Sequence, residues 1–325
     1  EQLRTHFLGH GSLDCIMCGR PKLRLSAEQI AEKVNDAGGI TGPAHAFTPY
    51  TGLYAFYGSA KKAYGKMGGK LLFIELGLSA DTDFADTISE NHNYAFLSSS
   101  DAHSPWPNRI GREFNRIKMR KPDYKNLVKA LSERDEKLIE LNAGLNPMEG
   151  KYHKTACNNC FAQYQLSQAK TFSFRCIKCG AEIKRGVRDR IEMLADTKKG
   201  VHPKFRPPYL HLLPLAEIIQ LAFGVKSPNA QKVQGKWKDF VERFGNEIRV
   251  LVDAPVQELA EVDAGVAKKI EAFRKGLVLY IPGGGGKYGT PIICETKDEM
   301  EKKQEEIERY ASSDTVKGQK SLREF

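Results

Sequence analysis

Four cysteines in the middle of the sequence have the spacing of a zinc site. They form two Cys-x-x-Cys pairs, Cys157 with Cys160 and Cys176 with Cys179. Zinc prefers four soft ligands in a tetrahedron, and each Cys-x-x-Cys turn presents two thiolates to it. Because four cysteines fill the coordination sphere, the pattern predicts a structural zinc rather than a catalytic one. The odd total of seven cysteines also argues against a disulfide framework.

The other three cysteines have simpler explanations. Cys15 and Cys18 form a third Cys-x-x-Cys, but no matching pair accompanies it. We therefore favour reduced thiols in a loop over a metal or redox site. Cys294 is expected to be a small buried apolar residue.

Polar residues after short apolar runs indicate a second kind of metal chemistry. Asp101 with His103, His45 and Glu75 all occupy such positions. In α/β barrels the carboxyl ends of the strands carry the chemistry, and carboxylates and imidazoles there are ligands for divalent metals. A single such histidine is usually a structural hydrogen-bonding group. Three such positions in one region favour a metal centre, with Asp101 and His103 as the catalytic candidates.

These residues need strands and helices that alternate along the chain. Ser26 and Gln29 form a capping box for a first helix, which Gly38 ends. The alternation predicts parallel α/β units. Expected strands lie at 40–45, 70–76, 94–98 and 137–141, and further helices at about 83–92 and 123–132.

After the four cysteines the pattern becomes mainly helical. Apolar or amphipathic helices are expected at 215–223, 231–244 and 266–273, followed by a charged helical run at about 296–311. The predicted domains are an α/β domain over 1–148, the cysteine module over 149–182, a helical region over 183–295 and a tail over 296–325.

The charge of the chain favours an anionic partner. The formal net charge is +10 and the pI is near 9.1, which places nucleic acid ahead of a membrane surface as the partner. No apolar run approaches the roughly 20 residues of a membrane helix, and the first residues lack the layout of a secretory signal. We therefore expect a cytoplasmic, nucleoid-associated protein with no membrane partner.

Basic and aromatic residues near these motifs are the predicted DNA contacts. A solvated helix face is the alternative for the basic residues, and a flexible hinge is the alternative for the glycine-rich segment 283–289. That segment lacks the Walker layout, because Tyr288 stands where Ser or Thr is required. The predicted contacts are Arg109, Arg112, Arg116, Lys184, Arg185, Arg188, Arg206, Tyr209, Gly284, Gly285, Lys287 and Tyr288.

Three segments resemble the PHP phosphoesterase domain of archaeal endonuclease Q, namely 43–49, 75–81 and 100–105 continuing through 109–116. That family joins a PHP domain to a four-cysteine zinc module and a helical C-terminal region, in the order found here. The resemblance implies an α/β protein with a partial PHP-type (β/α) barrel, a zinc-ribbon-like module and a mainly α-helical region.

The same resemblance implies a DNA repair endonuclease. Its expected substrates are DNA strands with deoxyinosine or deoxyuridine, cut on the 5′ side of the lesion. The implied cofactors are a structural Zn and divalent ions (Zn, Mg or Mn) at the PHP centre. Its expected metal ligands are His45, Glu75, Asp101 and His103.

One family motif is missing from the sequence. PHP domains open with a His-x-His motif, but this chain starts at Glu1 and contains no such motif. The N-terminal part of the PHP pattern is thus expected to be absent. We accordingly predict weak or absent nuclease activity for the chain alone.

The last residues resemble a docking motif. Gln319, Leu322 and Phe325 have the Gln-x-x-Leu-x-x-Phe spacing of the box that binds the sliding clamp PCNA. Residues three apart share one face of a 3₁₀ turn and can fill an apolar groove.

Two other functions stay open. A PHP-type phosphatase acting on a small phosphomonoester would use the same metal centre but would not need the zinc module or the tail. A non-catalytic zinc-containing DNA-binding protein would keep the cysteines and basic residues but could dispense with Asp101 and His103.

Overall fold

A computed structural model describes residues 25–135 and 137–313, with side chains described up to residue 309. The predicted features at Cys15, Cys18, Gln319, Leu322 and Phe325 lie outside these residues. The chain forms two compact units. Unit 1 contains the described residues up to Pro105, Arg109–Leu212 and Pro282–Tyr288, and unit 2 contains Trp106–Asn108, Leu213–Ile281 and the described residues from Gly289 onward.

The described elements are numbered in chain order. The strands are β1 (Phe73–Glu75), β2 (Ala95–Leu97), β3 (Phe114–Ile117), β4 (Ile139–Gly144), β5 (Ala156–Cys157), β6 (Ile183–Lys184), β7 (Tyr209–His211), β8 (Val278–Ile281) and β9 (Thr290–Ile293). The helices are α1 (Ala27–Asp36), α2 (Leu53–Phe56), α3 (Ala60–Tyr64), α4 (Thr82–Ala85), α5 (Tyr124–Glu133), α6 (Leu166–Thr171), α7 (Val187–Leu194), α8 (Leu215–Phe223), α9 (Gln231–Phe244), α10 (Val256–Val262), α11 (Ala264–Arg274) and α12 (Lys297–Ser313). Shorter 3₁₀ turns cover Gly65–Lys70, Ser89–Asn93 and Pro147–Glu149, and a π turn covers Arg249–Asp253.

The first sheet of unit 1 brings two predicted strand ends to one edge. β1 and β2 are parallel, with Phe73 opposite Ala95 and Glu75 opposite Leu97. Ile74 and Phe96 are fully buried in the core of the unit, which fixes the faces of both strands. Glu75 and the segment that follows Leu97 therefore leave the sheet side by side.

A second sheet has the order β3-β4-β7. β3 is antiparallel to β4, and β7 joins β4 in parallel from beyond the zinc module. Two amide side chains link this sheet to β2: Asn115 exchanges hydrogen bonds of 2.9 Å with the backbone of Ser98, and Asn142 donates to the Phe96 carbonyl at 3.0 Å. β3, which the sequence did not predict, thus adds an antiparallel pair to the parallel pairs β1–β2 and β4–β7.

Two further expectations for unit 1 are corrected. Residues 40–45 are not a strand: they run extended and end in a turn at His45, whose φ is 49°. The segment still meets β1, because Glu75 N donates to the Pro43 carbonyl at 3.0 Å. The expected helix at 83–92 is split into α4 and a 3₁₀ turn, because Ile88 between them is extended. The capped helix α1 and the helix α5 are confirmed.

The cysteine module is a small hairpin with a short helix. β5 and β6 are antiparallel, with Cys157 opposite Ile183, and α6 lies between them in sequence. Tyr164 and Ile183 are buried in a core of only a few residues. So small a core supplies little stability of its own, which is typical of domains held by a metal.

Unit 2 is mainly helical around one apolar core. Helices α8 and α9 have the predicted bounds, and their residues Ile219, Val233 and Phe240 are fully buried together with Ile270 of α11. Helix α10 and one hairpin were missed: β8 and β9 are antiparallel, and the glycine-rich segment is the loop between them. The mixed α/β class with a helical C-terminal region is confirmed.

Among the described residues, no helix combines the length and the apolar character that crossing a membrane requires.

Candidate metal centre and active site

Asp101 lies between two histidines at the edge of the first sheet. Its Oδ1 atom is 3.3 Å from His45 Nε2 and 3.2 Å from His103 Nε2. His45 is in the turn before α2, whereas Asp101 and His103 follow β2, so parallel pairing of β1 with β2 brings distant segments together. The structure therefore groups three residues that the sequence predicted separately.

Glu75 orients His45. One carboxylate oxygen accepts hydrogen bonds from the His45 backbone amide and lies 2.9 Å from His45 Nδ1, while the other accepts from Gly77 N at 2.9 Å. A carboxylate on one ring nitrogen leaves the other nitrogen directed at the site, which is the usual arrangement behind a metal-binding histidine. In this structure Glu75 thus acts on the site through His45.

The backbone at the centre is held in an unusual conformation. His45 and Asp101 have φ values of 49° and 47°, in the left-handed region that residues with a side chain rarely adopt. Such conformations persist only where surrounding contacts fix them, and they concentrate at functional sites. Arg112 supplies one such contact, because its Nε donates to the Ser100 carbonyl at 2.8 Å.

The donor set suits a divalent cation. Imidazole nitrogen and carboxylate oxygen at bond lengths near 2.1 Å to one ion lie roughly 3.0–3.4 Å apart, close to the distance from Asp101 to each histidine. The ligand atoms of Asp101, His45 and His103 do not all lie within 4.8 Å of one another, so binding one ion by all three requires a side chain to shift. The side chain of His103 is 72% exposed, that of Asp101 is 32% exposed, and that of Glu75 is only 7% exposed. The centre is therefore open to a large substrate on the His103 side and buried on the Glu75 side.

A buried polar layer lies near Glu75. Glu113 is 3% exposed, and one of its oxygens accepts from Leu145 N at 3.1 Å. Burial raises the pKa of Glu113 well above its usual value, and Glu75 acts in the same direction. A Cβ on Gly144 would lie 2.4 Å from the Tyr209 hydroxyl and 2.7 Å from Glu113, so both groups require glycine there.

A second polar cluster was missed by the sequence analysis. His211 Nε2 is 3.0 Å from Asp81, and His202 bridges Asp86 at 2.8 Å and Asp83 at 3.0 Å. Of these residues, His211, His202, Asp81 and Asp83 line a cavity of about 410 Å³. His211 ends β7, parallel to β4, so a strand recognised at 209–211 would have identified it by the same strand-end rule.

The four cysteines form a compact ligand group. The Sγ atoms of Cys157 and Cys179, and those of Cys160 and Cys176, are 3.5 Å apart. Within the described part of the chain, theirs is the one group in which three or more such ligand atoms all lie within 4.8 Å of one another. Zinc–sulfur bonds of about 2.3 Å place tetrahedral sulfur atoms roughly 3.8 Å apart, so the group fits zinc.

Neighbouring hydrogen-bond donors favour a thiolate at Cys176 of this group. The amides of Asn159 and Cys160 lie 3.4 and 3.5 Å from Cys157 Sγ, and the Tyr164 hydroxyl lies 3.1 Å from Cys176 Sγ. Although burial opposes it, the hydrogen bond from Tyr164 and nearby backbone amides lower the pKa of Cys176 to about 6. Metal-binding cysteines need this deprotonated form.

Solved structures closely resemble the chain. The crystal structure of the lesion-specific endonuclease PfuEndoQ from Pyrococcus furiosus is 51% identical, with a TM-score of 0.77, over 85% of this chain and 68% of that one. The chain belongs to the endonuclease Q family. A second endonuclease Q structure, a complex with a 27-mer duplex substrate with an abasic lesion at the active site, is 50% identical with a TM-score of 0.79, over 85% of this chain and 69% of that one.

Two uncharacterized proteins are also similar in sequence to this endonuclease Q family member. The uncharacterized protein MJ0043 of Methanocaldococcus jannaschii is 44% identical over 277 residues, which are 83% of this chain and 34% of that protein. The uncharacterized protein YqxK of Bacillus subtilis is 35% identical over 278 residues, 82% of this chain and 66% of that protein. Residues 214–277 match the family described as the MJ0043 C-terminal domain. The chain thus spans about a third of MJ0043 and two thirds of YqxK.

Some residues predicted to contact DNA help to hold the endonuclease Q fold together. The Arg206 side chain is 1% exposed, makes two hydrogen bonds of 2.8 Å to Asp86 and lies over the Phe96 ring. Tyr209 has a buried hydroxyl and a pKa that burial raises well above its usual value. Arg112 is also buried and positions the Asp101 loop. The Arg206 and Arg112 side chains and the Tyr209 hydroxyl are thus held inside the fold in this structure, and their contacts to DNA stay predictions.

The glycine-rich loop packs against the backbone of the segment around Lys154 and Cys157, which occupies the space that a phosphate would need. Gly283 accepts from Lys154 N at 2.9 Å, and Gly286 N donates to Lys151 at 2.9 Å. Gly285 has a φ of 65°, and a Cβ there would lie 2.1 Å from the Cys157 carbonyl. A Cβ on Gly284 would lie 2.9 Å from the Lys154 carbonyl oxygen. These glycines let the loop pack on the cysteine module.

The remaining predicted contacts are placed as follows. Arg116 and Lys287 are exposed. Arg188 pairs with Asp189 at 2.6 Å, and the Arg185 guanidinium lies 5.3 Å from the centre of the Phe174 ring. Arg109 lies beside the Tyr288 ring, and Lys184 lies beside the Tyr50 ring.

Proposed function

We propose that this member of the endonuclease Q family is a metal-dependent DNA repair endonuclease. In this proposal it recognises deoxyinosine and deoxyuridine and hydrolyses the phosphodiester on the 5′ side of the lesion. The observation that carries the proposal is the position of Asp101, within 3.3 Å of both His45 and His103 at an open sheet edge. Support comes from the solved relative whose active site holds a duplex with an abasic lesion.

Each residue of the centre has a distinct proposed role. Asp101 and His103 are the catalytic ligands that face the substrate, His45 completes the set, and Glu75 fixes the His45 ring. A divalent cation held there (Zn, Mg or Mn) would supply Lewis acidity to a water molecule and to the scissile phosphate. Arg112 keeps the Asp101 loop in place through the Ser100 carbonyl.

The open His103 side favours a macromolecular substrate over a small phosphomonoester. A small-molecule site usually encloses most of its ligand, whereas the His103 side chain is 72% exposed. The cysteine module, in our proposal, binds a structural zinc and supports the residues beside it. Acting on chromosomal DNA, the protein would work in the cytoplasm at the nucleoid.

The test is an incision assay on matched DNA duplexes. Duplexes carrying inosine, uracil, an abasic site or no lesion are incubated with Mg²⁺, Mn²⁺ or Zn²⁺, beside a generic phosphomonoester. The protein is in excess over DNA, because the sequence contains no His-x-His motif and we expect slow turnover. We expect metal-dependent cuts on the 5′ side of inosine, uracil and the abasic site, and none in the undamaged duplex. Equal cutting of undamaged DNA, or hydrolysis of the phosphomonoester alone, would contradict the proposal.

A substitution ties the activity to the centre. Asp101→Asn keeps the size of the side chain but removes its charge, and we expect incision to fall about a thousandfold, since a metal ligand supplies several kcal/mol to the transition state. Affinity for the duplex should change less than about twofold, because the phosphate contacts remain. Asp239→Asn is the matched control, as Asp239 is exposed on α9 beside Lys236. Retained cutting by Asp101→Asn would remove Asp101 from the active site.

The proposal also includes docking on the sliding clamp PCNA through Gln319, Leu322 and Phe325. The supporting observation is their spacing in the sequence. A peptide of residues 312–325 is expected to bind the cognate clamp and to lose binding when Leu322 and Phe325 are replaced by alanine. A peptide that does not bind would refute this part alone.

A further inference from the structure

Three tyrosines and three basic side chains of unit 1 form a continuous strip of contacts. The tyrosines come from the loop after His45, the segment before β5 and the glycine-rich loop, so distant parts of the sequence build the strip together. We name it the tyrosine strip, and its residues are Tyr50, Tyr152, Tyr288, Lys184, Lys151 and Arg109.

Each ring of the strip is next to another ring or a cation. The Tyr50 and Tyr152 rings meet edge to face with centres 5.5 Å apart, and Lys184 Nζ lies 4.0 Å above the Tyr50 ring. Lys151 Nζ lies 5.3 Å from the Tyr152 ring and 5.9 Å from the Tyr288 ring.

Arg109 ends the strip 5.6 Å from the Tyr288 ring. The contacts therefore run without a break from Lys184 to Arg109.

Tyr50 and Arg109 of the strip lie close in sequence to the residues of the metal centre. Tyr50 follows His45 in the same turn-rich segment, where Thr48 N donates to the His45 carbonyl at 2.9 Å. Arg109 follows the loop that carries Asp101 and His103. Movement of the strip is thus limited by the segments that hold the metal ligands.

Tyr50 is held in a strained conformation that exposes its ring. Its φ of 82° is in the left-handed region, which is rare for a bulky residue. Tyr50 is nevertheless 38% exposed, and Tyr288 at the other end is 40% exposed. A residue that only filled the core would gain nothing from strain that leaves its ring in water, so a binding role accounts for it better.

We propose that the tyrosine strip binds unstacked bases of single-stranded DNA. Bases stack on aromatic faces regardless of sequence, and cations beside the rings pair with the phosphates between the bases. The inference rests on the proposed DNA-directed function, since an enzyme that works on a damaged base must take it out of the duplex stack. Arg109, Lys184 and Tyr288 were predicted DNA contacts, whereas Tyr50, Lys151 and Tyr152 were not.

The simpler explanation is that the rings only hold the loops in place. The two explanations differ for a DNA strand that has phosphates but no bases. Stacking requires the bases, whereas a change in fold or charge would weaken binding to both kinds of strand. An oligomer of thymidine and an abasic oligomer of the same length therefore separate them.

The experiment measures the affinity of the whole chain for these two labelled oligomers. For Tyr288→Leu and Tyr50→Leu we expect about tenfold weaker binding of the thymidine oligomer and unchanged binding of the abasic oligomer, from the typical effect of one lost stacking residue. Tyr288→Phe and Tyr50→Phe keep the ring and should bind like the parent chain. Tyr57→Leu is the matched control, because Tyr57 has the same 40% exposure as Tyr288 and lies outside the strip.

The cations provide an independent arm. Lys151→Gln should weaken binding of both oligomers to the same extent, since phosphates are present in each, and should reduce the salt dependence of the affinity.

Several results would overturn the inference. The inference fails if the parent chain does not bind the thymidine oligomer, or if the leucine variants bind it as tightly as the parent chain. It also fails if the leucine variants lose equal affinity for both oligomers, or if the phenylalanine variants lose affinity. Incision of lesion duplexes is scored separately. A chain that binds through the strip but never cuts would refute the proposed function alone, and one that cuts without strip binding would refute only this inference.

Discussion

The two units differ in what they bury. Of the described residues, all the buried polar or charged ones except Asn108 lie in unit 1. Unit 2 instead encloses one large cluster of apolar side chains, with Leu215, Ile219 and Phe240 fully buried. Buried polar groups destabilise a fold unless each has a partner, so they are retained where oriented groups are needed.

The buried polar groups of unit 1 therefore suit a functional site, and the apolar core of unit 2 suits a stable fold. In unit 1 the buried carboxylates of Glu75, Asp81 and Asp86 each fix a histidine. In unit 2 one partly buried carboxylate is held in a similar way: Glu247 accepts from Leu215 N at 2.6 Å and from Trp237 Nε1 at 3.2 Å. The comparison predicts that single polar substitutions damage unit 1 most.

The largest effect is expected at the cysteine module. Cys176→Ser removes one of four thiolates, and zinc binding is worth about 10–16 kcal/mol in small zinc domains. Because the core of the module is small, we expect loss of the metal and opening of β5 and β6, with the helices of unit 2 intact. Metal analysis and hydrogen exchange at Cys157 and Ile183 measure both effects.

The matched control is the cysteine of unit 2. Cys294 is fully buried and lies outside the four-cysteine group. Cys294→Ser should leave the zinc content unchanged and destabilise unit 2 by about 1–2 kcal/mol, because it buries a hydroxyl in an apolar core. If Cys176→Ser retained zinc and protected strands, the four cysteines would not be a zinc site.

The difference between the polar interior of unit 1 and the apolar core of unit 2 also determined how well the sequence predicted their secondary structure. Helices α8 and α9 were predicted with their exact bounds, because an apolar core imposes a period of 3.6 residues on the helices around it. In unit 1 the strands β1 and β2 have three residues each, and the segment 40–45 pairs through only scattered hydrogen bonds. Elements this short have too few residues for a period.

The sequence predicted which residues form the candidate centre, but not which residues contact one another around it. Positions after short apolar runs selected His45, Asp101 and His103, although 40–45 is not a strand. No local pattern indicated that Asp86 would enclose Arg206. That contact joins residues 120 positions apart. The antiparallel pairing of β3 with β4 and the role of the glycines near Cys157 also depend on tertiary contacts. Charge and spacing cannot show whether an arginine faces water or a buried carboxylate.

A second prediction tests the buried charges of unit 1. Asp86 is 1% exposed and holds both Arg206 and His202. Asp86→Ala leaves the Arg206 guanidinium buried without its charge partner, which should destabilise unit 1 by about 3–5 kcal/mol. The free energy of unfolding, measured by urea titration, is expected to fall by this amount for unit 1 and to stay constant for unit 2.

Asp83→Ala is the control for this substitution. Asp83 also contacts His202, at 3.0 Å, but its side chain is 44% exposed. Exposed ion pairs contribute at most about 1 kcal/mol, so a small change is expected. Similar losses for both variants would mean that burial does not distinguish the two carboxylates.

The last prediction concerns pH, to which the two units should respond with opposite sign. In unit 1, burial lowers the pKa of His153 from 6.5 to about 4, and Arg188 and Lys154 act in the same direction. The unfolded chain therefore binds a proton at His153 more readily than the folded chain between these values. The contribution of His153 to stability is complete above pH 6.5 and is lost as the pH falls toward 4.

In unit 2, burial raises the pKa of Glu247 from 4.5 to about 7. Here the folded chain holds the proton more tightly, so the contribution of Glu247 is complete below pH 4.5 and is lost as the pH rises through 7. A shift of this size corresponds to roughly 3 kcal/mol, which unit 2 should lose between pH 4.5 and 8. Glu247→Gln stays neutral throughout and should remove this slope. Urea titrations followed by the fluorescence of Trp237, whose indole contacts Glu247, measure the difference. A slope that persists in Glu247→Gln would assign the pH dependence to other groups and weaken the contrast between the two units.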